Sequence, residues 1–180
     1  MGNPTEEVHK TIHEQAEKTH DPGTMKIALS SALIAVLAAS ASFLSEHQSN
    51  EAMLDQLKAS DNWSYYQAKG IKSMIIQNEM TTLKAVNKAV DANSEMQVEN
   101  YSKEQKEIST KATEQEQASA KHFAAHNIMS YAENFLEIAI GISAISALLR
   151  RRWLWFTSLA VTAGGIIFFV YGIHLITLIK

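Results

Sequence analysis

The chain has 180 residues, a formal net charge of −3 and no cysteine. This slightly acidic balance argues against a nucleic-acid partner, which would require a basic face. The absence of cysteine excludes disulfide frameworks and thiolate metal sites. The sequence contains no phosphate-cradling glycine loop and no catalytic constellation, so we predict a protein that is not an enzyme and needs no cofactor.

The first 26 residues are polar and acidic, and we predict a cytoplasmic tail rather than a signal peptide. Within this tail, His9 and His13 are four residues apart and would lie on one face of a helix. Such a pair can bind Zn²⁺, Ni²⁺ or Cu²⁺, and His122 and His126 repeat the same spacing. The alternative is that both pairs belong to solvated polar helix faces that bind no metal.

Residues 27–44 form the first apolar segment, which is uncharged and lies between Lys26 and Glu46. Its length is at the lower end of the range for a membrane span, so we predict a first transmembrane helix here. In this and the two later apolar segments, small residues recur at a spacing that allows close helix contacts in lipid: Ser31, Ala35 and Ala39; Ala139, Ser143 and Ala147; Ala160, Gly164 and Gly165.

Residues 45–130 are polar and rich in strong helix formers, and they contain one glycine and no proline. Turn-prone residues at 91–94 predict a reversal, so we expect a coiled-coil-like helical hairpin. The rival prediction is a disordered polar loop, mainly over residues 102–117. An apolar stripe with helical spacing follows Ile71, Met74 and Ile75, and we expect it to be buried between helices, partly between copies: Ile76, Met80, Leu83, Val86 and Val90. Because a two-helix seam is narrow, we predict a homo-oligomer or a larger membrane complex.

An aromatic tract stands out in this hairpin, at Trp63, Tyr65 and Tyr66. Trp and Tyr dominate the energetics of interfaces, so the tract is a candidate contact surface. Two alternatives remain, because Trp63 and Tyr66 could pack on the neighbouring helix or the tract could belong to an aromatic belt at the membrane surface. Ser60 or Asp61, just before the tract, predicts a helix break with a new N-cap.

Residues 131–149 form the second predicted transmembrane helix, with Glu133 near its start and Glu137 inside it. An ionisable group within a membrane is costly, and it usually faces protein or water rather than lipid. Antiparallel packing would bring Glu137 towards His174 in the third apolar segment. The pair could form a proton relay, an ion-coordinating position, or a hydrogen-bonded packing pair that includes Tyr171.

Residues 153–179 form the third predicted transmembrane helix, which has no charged side chain and is long enough for a hydrocarbon layer of ~30 Å. The cluster of Arg150, Arg151 and Arg152 before it leaves room only for a tight loop. The positive-inside rule places this loop and the N-terminus in the cytoplasm. The hairpin would then be periplasmic or extracellular, in a multi-pass protein of the bacterial inner (cytoplasmic) membrane whose partner is the lipid bilayer.

Three parts of the chain resemble a family of small bacterial membrane proteins that is catalogued as a domain of unknown function: PTEEVH at residues 4–9, ASDNWSYYQAK around Trp63, and the ending LLRRRWLW…GGIIFFVYGI. The resemblance covers nearly the whole chain. It implies one anchor helix, a helical hairpin and a closing membrane hairpin, and it implies no activity, substrate or catalytic residue.

Two functions fit this sequence. The first is an oligomeric membrane scaffold or accessory subunit whose hairpin is the working surface. The alternative is a small oligomeric channel or a transport component for ions or metals, with Glu137 or His174 in its pathway. A channel needs a continuous polar lining, and the few polar residues in each apolar segment favour the scaffold. We therefore predict an all-α integral membrane protein with three transmembrane helices and a long extramembrane hairpin.

Overall fold

The computed structural model describes Lys10 and residues 22–179. These residues contain three long helices, which we name α1 (Pro22–Ala85), α2 (Ala92–Leu149) and α3 (Arg152–Ile179). The described residues contain no strand, so the all-α prediction is confirmed. Each helix includes a stretch that is long and apolar enough to cross a membrane. Most of the predicted tail lies outside the described residues, and α1 already begins at Pro22 rather than at residue 27.

Helix α1 runs without a break through Ser60 and Asp61, so the predicted restart at these residues is wrong. Inside a helix, a serine hydroxyl can bond to the carbonyl four residues earlier instead of capping a new helix. Ser64 does so, because its hydroxyl donates to the Ser60 carbonyl at 3.0 Å. Ala59 is fully buried just before this point, which fixes this part of α1 against its neighbour.

Residues 86–91 connect α1 to α2 and precede the predicted reversal at 91–94. Asn87 ends α1 in the left-handed region with a φ of 55°, and the next amide donates to the Leu83 carbonyl at 2.9 Å. This is a Schellman end, in which asparagine is tolerated better than most residues. The Asp91 carboxylate then accepts the amide two residues later at 3.1 Å, which caps α2. The reversal was misplaced because the same polar residues favour turns and helix starts.

The helices are divided between two compact units. The first unit contains the described residues up to Asn50 and from His122 onward, and so combines the start of α1, the end of α2 and all of α3. The second unit, Glu51–Lys121, is an antiparallel pair made from the rest of α1 and α2. Residues 102–117 lie inside α2, so the rival prediction of a disordered loop is wrong.

The core of the first unit contains small and hydroxyl-bearing residues beside large apolar ones. Buried residues of α1 recur at the seven-residue spacing of a helix seam: Thr24, Ile27, Ser31, Ile34, Ala38, Ala41, Ser45 and Gln48. Ile34, Ala38 and Ala41 of this seam form one cluster with buried residues of α2 that include Leu136 and Ile140. Gly165 allows α2 to approach α3 closely, because a Cβ at this position would lie 2.9 Å from Leu136 Cγ.

Only residues 150 and 151 separate α2 from α3. Arg150 lies in the left-handed region with a φ of 51°, and the Arg151 amide donates to the Ser146 carbonyl at 3.3 Å. Ser146 is fully buried, and its hydroxyl donates back to the Arg151 carbonyl at 3.1 Å. The loop is therefore as tight as the sequence suggested, and Arg152 is already the first residue of α3.

The seam of the second unit has the same spacing and a different chemistry. The buried and partly buried residues of α1 that follow this seven-residue spacing are Ala52, Asp55, Ala59, Asn62, Tyr66, Lys69, Ser73, Ile76, Met80 and Leu83. Polar groups bridge the two helices at several of these positions. Asn62 Nδ2 donates to Gln115 Oε1 at 2.7 Å, and the Ser119 hydroxyl donates to the Ala52 carbonyl at 2.7 Å.

Candidate functional site

The aromatic tract lies on α1 in the second unit, and its members differ in exposure. Trp63 and Tyr66 are half-buried and meet edge to face, with ring centroids 5.6 Å apart. Trp63 Nε1 also donates to Glu116 Oε1 of α2 at 2.8 Å. Tyr65, in contrast, is 51% exposed. The geometry matches the alternative in which Trp63 and Tyr66 pack on the neighbouring helix, while Tyr65 stays accessible.

Lys69 ties this tract to α2. Its Nζ lies 2.5 Å from Glu104 Oε2, and it is 5.2 Å and 5.1 Å from the ring centroids of Tyr65 and Tyr101. Its hydrogen bond with Glu104, and then that with Tyr65, raises the pKa of Lys69 above its ordinary value. The ammonium group between two rings is a cation–π arrangement. Sequence reasoning missed this cluster, because Tyr101 and Glu104 come from a distant segment that showed only high polarity.

The predicted apolar stripe is shorter than expected. Ile76, Met80 and Leu83 are half-buried in the seam between α1 and α2. Val86 and Val90 lie beyond the end of α1, in the connection, and Val86 is 58% exposed. The predicted helical stripe therefore ends at Leu83, because helical spacing was extended past the Schellman end of the helix, and Val90 is half-buried in the connection. The remaining stripe is used inside the hairpin itself.

A second apolar face of α1 is exposed, and we call it the outer face. It consists of Met53, Leu54 and Leu57, followed by Ile71, Met74 and Ile75. The last three side chains are between 60% and 62% exposed. The sequence-based prediction placed them in one run with the stripe that begins at Ile76. The seven-residue spacing separates the two sets, since Ser73 and Ile76 lie on the seam and residues 71, 74 and 75 lie off it.

Hydroxyl groups cross-link the helices of the first unit. Ser31 of α1 and Ser143 of α2 are both buried and share a short hydrogen bond. Ser158 of α3 is fully buried and donates to the Ala139 carbonyl of α2 at 2.7 Å. These bonds connect α2 to both of its neighbours and leave no buried hydroxyl in these pairs without a partner.

A layer of polar side chains lies where α1 leaves its apolar segment. His126 Nδ1 is 2.9 Å from the Ser45 hydroxyl, which is in turn 2.8 Å from the Ser130 hydroxyl. His122 Nδ1 is 2.7 Å from Gln48 Oε1. Because Ser45 and Gln48 are both buried, these hydrogen bonds satisfy polar groups that would otherwise be costly.

This geometry bears on the proposed metal sites. His122 and His126 bond to different partners on α1 and do not converge on one point. Within the described residues, no group of three or more His, Asp or Glu side chains could hold a metal ion. His9 and His13, the other candidate pair, lie outside the described residues.

Glu137 and His174 do not form the predicted pair. Both side chains are exposed, and no hydrogen bond or ion pair joins them in the part of the chain that is described. Leu136 is fully buried, so Glu137 points about 100° away from that contact. Gly172 is buried on α3, and His174 lies about 200° around the helix from it. Tyr171 is 50% exposed. The prediction matched the two residues by depth and ignored their directions.

A cleft of about 520 Å³ lies in the first unit beside the loop between α2 and α3. It is lined by Gly23, Thr24, Lys26, Ile27, Ala147, Arg150, Arg152, Trp155 and Phe156. Three of these residues are cationic and none is acidic. Arg151 is absent from this lining, so the arginine cluster is divided between the cleft and the surface outside it.

The comparisons with known proteins give a family and no activity. The model of a domain of unknown function (DUF4337) matches residues 24–175, from the first turn of α1 to the last turns of α3. The chain therefore belongs to the DUF4337 family. No curated protein and no solved structure matches it.

Proposed function

We propose that this member of the DUF4337 family is a non-enzymatic scaffold or accessory subunit of the bacterial inner membrane. In this proposal, three transmembrane helices hold the protein in the bilayer, and residues 51–121 form its working surface on the outer side. Several copies assemble through that surface, or one copy joins a larger membrane complex.

The observation that carries the membrane assignment is the burial pattern of α3, which is the reverse of that of a helix in a water-soluble protein. This helix buries Ser158, Thr162, Gly165 and Gly172. It exposes large apolar side chains that include Phe156, Ile167 and Val170, each at least 60% exposed. Water favours the opposite arrangement. In lipid, small and hydroxyl-bearing residues pack between helices and large apolar residues face the acyl chains, which is the pattern of α3.

The first apolar segment, residues 27–44, repeats this pattern. Ser31, Ala38 and Ala41 are buried, whereas Leu29, Leu33 and Phe43 are between 61% and 70% exposed. Two segments of the first unit thus expose apolar surface along lengths that match a bilayer. The orientation proposed for them, with Arg151 in the cytoplasm, follows from the positive-inside rule.

The scaffold assignment is supported by the outer face of the second unit. Its exposed apolar residues lie on a helix whose surroundings are polar, and such patches mark sites of interaction. The exposure of Glu137 and His174 also supports assembly, because both residues lie on segments proposed to be in lipid. Such groups need protein or water as neighbours, and contacts between copies would provide them.

The proposed assembly is tested by substituting the outer face. The variant Ile71→Ser/Met74→Ser/Ile75→Ser removes three exposed apolar side chains without touching the seam. We expect the wild type in detergent to contain more than one copy by light scattering, and the variant to have a lower mass. Val86→Ser/Met96→Ser, which removes equally exposed side chains elsewhere, is the control and should keep the wild-type mass. Equal masses for all three proteins would rule out the outer face as the assembly surface.

The orientation is tested by single cysteines in this cysteine-free chain. Positions 61 and 151 are suitable because Asp61 and Arg151 are both exposed. An impermeant thiol reagent added to intact cells should label position 61 and leave position 151 unlabelled until the cells are opened. The reverse pattern would invert the proposed topology.

A small channel is the second candidate, and the exposed Glu137 and His174 are the observation that favours it. In an oligomer these groups could line a water-filled path between copies. Ion flux through proteoliposomes discriminates the two functions, because a scaffold gives no flux above that of empty vesicles. A channel would give a flux that falls in the Glu137→Gln variant and stays unchanged in Glu133→Gln.

A further inference from the structure

We propose that the cleft beside the loop between α2 and α3 binds the phosphate group of an anionic phospholipid such as phosphatidylglycerol. This inference rests on the proposed membrane location and adds to it a defined site and ligand class. The cleft volume of about 520 Å³ falls within the range of ~300–1,000 Å³ that is usual for small-molecule sites.

The charge of the cleft selects an anion. Lys26 at the start of α1 and Arg150 and Arg152 at the loop between α2 and α3 line the same cavity without an acidic side chain among them. All three are exposed, and no ion pair joins any of them to another described residue. Arginine and lysine are the side chains that proteins use to bind phosphate. Helix α3 also begins at Arg152 without an acidic residue in its first turn, so the positive end of its dipole adds to this potential.

The other wall of the cleft selects a lipid over a soluble phosphate. Ile27 and Phe156 give it an apolar side, next to the indole ring of Trp155. The Trp155 and Phe156 rings are 5.1 Å apart, and Trp155 Nε1 donates to the Ser30 hydroxyl at 3.1 Å. The indole is therefore held in place by α1. A free phosphate ion has no apolar atoms that could contact this wall, whereas the glycerol and first methylene groups of a lipid would pack on it.

The cleft lies at the level of the lipid headgroups if the three apolar segments cross a bilayer. Lys26 precedes the first apolar segment, Arg150 follows the second, and Arg152 precedes the third. When these segments cross a bilayer, all three cations lie at the same membrane surface. Indole rings are enriched at that level, and anionic lipids attract basic residues there.

The experiment uses the purified full chain in a zwitterionic detergent, titrated with phosphatidylglycerol or with phosphatidylcholine of the same acyl chains. Native mass spectrometry counts the lipids that are retained. We expect the wild type to prefer phosphatidylglycerol by about a hundredfold, because each of the three cleft cations contributes roughly fivefold. Arg152→Gln should lower the affinity for phosphatidylglycerol, and Lys26→Gln/Arg150→Asn/Arg152→Gln should abolish the preference. Asparagine is chosen at position 150 because it tolerates the left-handed backbone.

Arg151→Gln is the matched control, because it removes one positive charge from the same loop but not from the cleft. It should retain the wild-type preference, with helicity by circular dichroism unchanged in every variant. If Arg151→Gln loses as much affinity as Arg152→Gln, the attraction belongs to the whole loop and the site is overturned. If millimolar inorganic phosphate displaces the lipid, the assignment of a lipid is wrong and the ligand is free phosphate.

A separate measurement distinguishes this inference from the proposed function. The wild type is reconstituted into vesicles of phosphatidylcholine alone and floated on a density gradient. If it does not float with the vesicles, the membrane assignment itself is wrong. If it floats but shows no preference for phosphatidylglycerol, only the lipid site is wrong.

Discussion

The two units build helix seams with the same seven-residue spacing from different side chains. The first unit fills its seam with Ser, Ala and Gly beside large apolar residues such as Leu136, and hydroxyl bonds such as that between Ser31 and Ser143 join its helices. The second unit uses amides, charges and rings, among them Asn62 and Lys69. Helix geometry sets the spacing in both units, whereas the surroundings decide which side chains can fill the seam.

The difference agrees with the proposed division of the chain between lipid and water. In the first unit small residues and hydroxyl bonds bring the helices together beside buried large side chains such as Leu136 and Ile140, while other large apolar side chains, such as Leu33 and Ile167, are exposed. In the second unit the buried apolar side chains are few, with Ile108 the largest of them, and polar bridges supply the specificity. The two units should therefore respond differently to matched substitutions.

The largest effect is expected from overpacking the first unit. A Cβ at Gly165 would lie 2.9 Å from Leu136 Cγ and 3.3 Å from Phe135 Cβ, and the branched Leu136 is fully buried and cannot move aside. Gly165→Leu should lower the melting temperature in mild detergent, by an amount that corresponds to about 3 kcal/mol or more, because the added side chain has no room. Gly141→Leu is the control, since no atom lies within 4 Å of a Cβ there. Equal melting of the two variants would show that α2 and α3 are loosely packed.

A smaller effect is expected from removing apolar volume in the second unit. Ile108 is 7% exposed, and Ile108→Ala should cost about 2 kcal/mol, the lower end of the range for such a truncation, because the seam is narrow. Hydrogen exchange measured by mass spectrometry should be faster over residues 51–121. Met96→Ala, at a position that is 57% exposed and outside the outer face, should leave the exchange unchanged. Unchanged exchange in Ile108→Ala would mean that the polar bridges alone hold this seam.

The smallest effect concerns the charge of Lys69. Because its pKa is raised in the folded state by Glu104 and Tyr65, its stabilising effect is complete below the ordinary pKa of 10.5 and is lost as the pH rises through the folded-state value. The protection of residues 51–121 against exchange, taken relative to the intrinsic rate at each pH, should therefore fall above about pH 10.5 in the wild type, and less so in Lys69→Met. Lys72→Met, at an exposed position, should follow the wild type. The effect is small because Glu104 remains 45% exposed to solvent.

Much of the fold could be read from the sequence, because the determining signals are local. The apolar segments, the missing breakers and the charged loop predicted three transmembrane helices and a helical hairpin, and the structure joins these segments into three long helices without the predicted break at Ser60 or Asp61. Directions around each helix were less accessible. Of the predicted small residues, Ser31, Ser143 and Gly165 are buried at helix contacts, whereas Ala39 and Ala160 are exposed.

The candidate sites depend on contacts between distant positions, and fewer of these could be predicted. Lys69 meets Glu104, and Gln48 meets His122, at separations that no local pattern encodes. The outer face was visible only as part of a longer apolar run, since the partner helix decides which residues of that run are covered. The same holds for Glu137, whose direction is fixed by the burial of Leu136 beside it.

The left-handed backbone at Arg150 couples the thermal stability of the fold to the proposed affinity of the cleft for an anionic lipid, so that a substitution that raises one would lower the other. A residue with a Cβ loses roughly 1–2 kcal/mol in this conformation, which glycine adopts freely. Glycine at this position would therefore raise the stability of the fold and remove one of the three cations from the cleft. Engineering for a higher melting temperature would favour that exchange. A stabilised variant selected only by heat would thus be expected to lose part of its lipid preference.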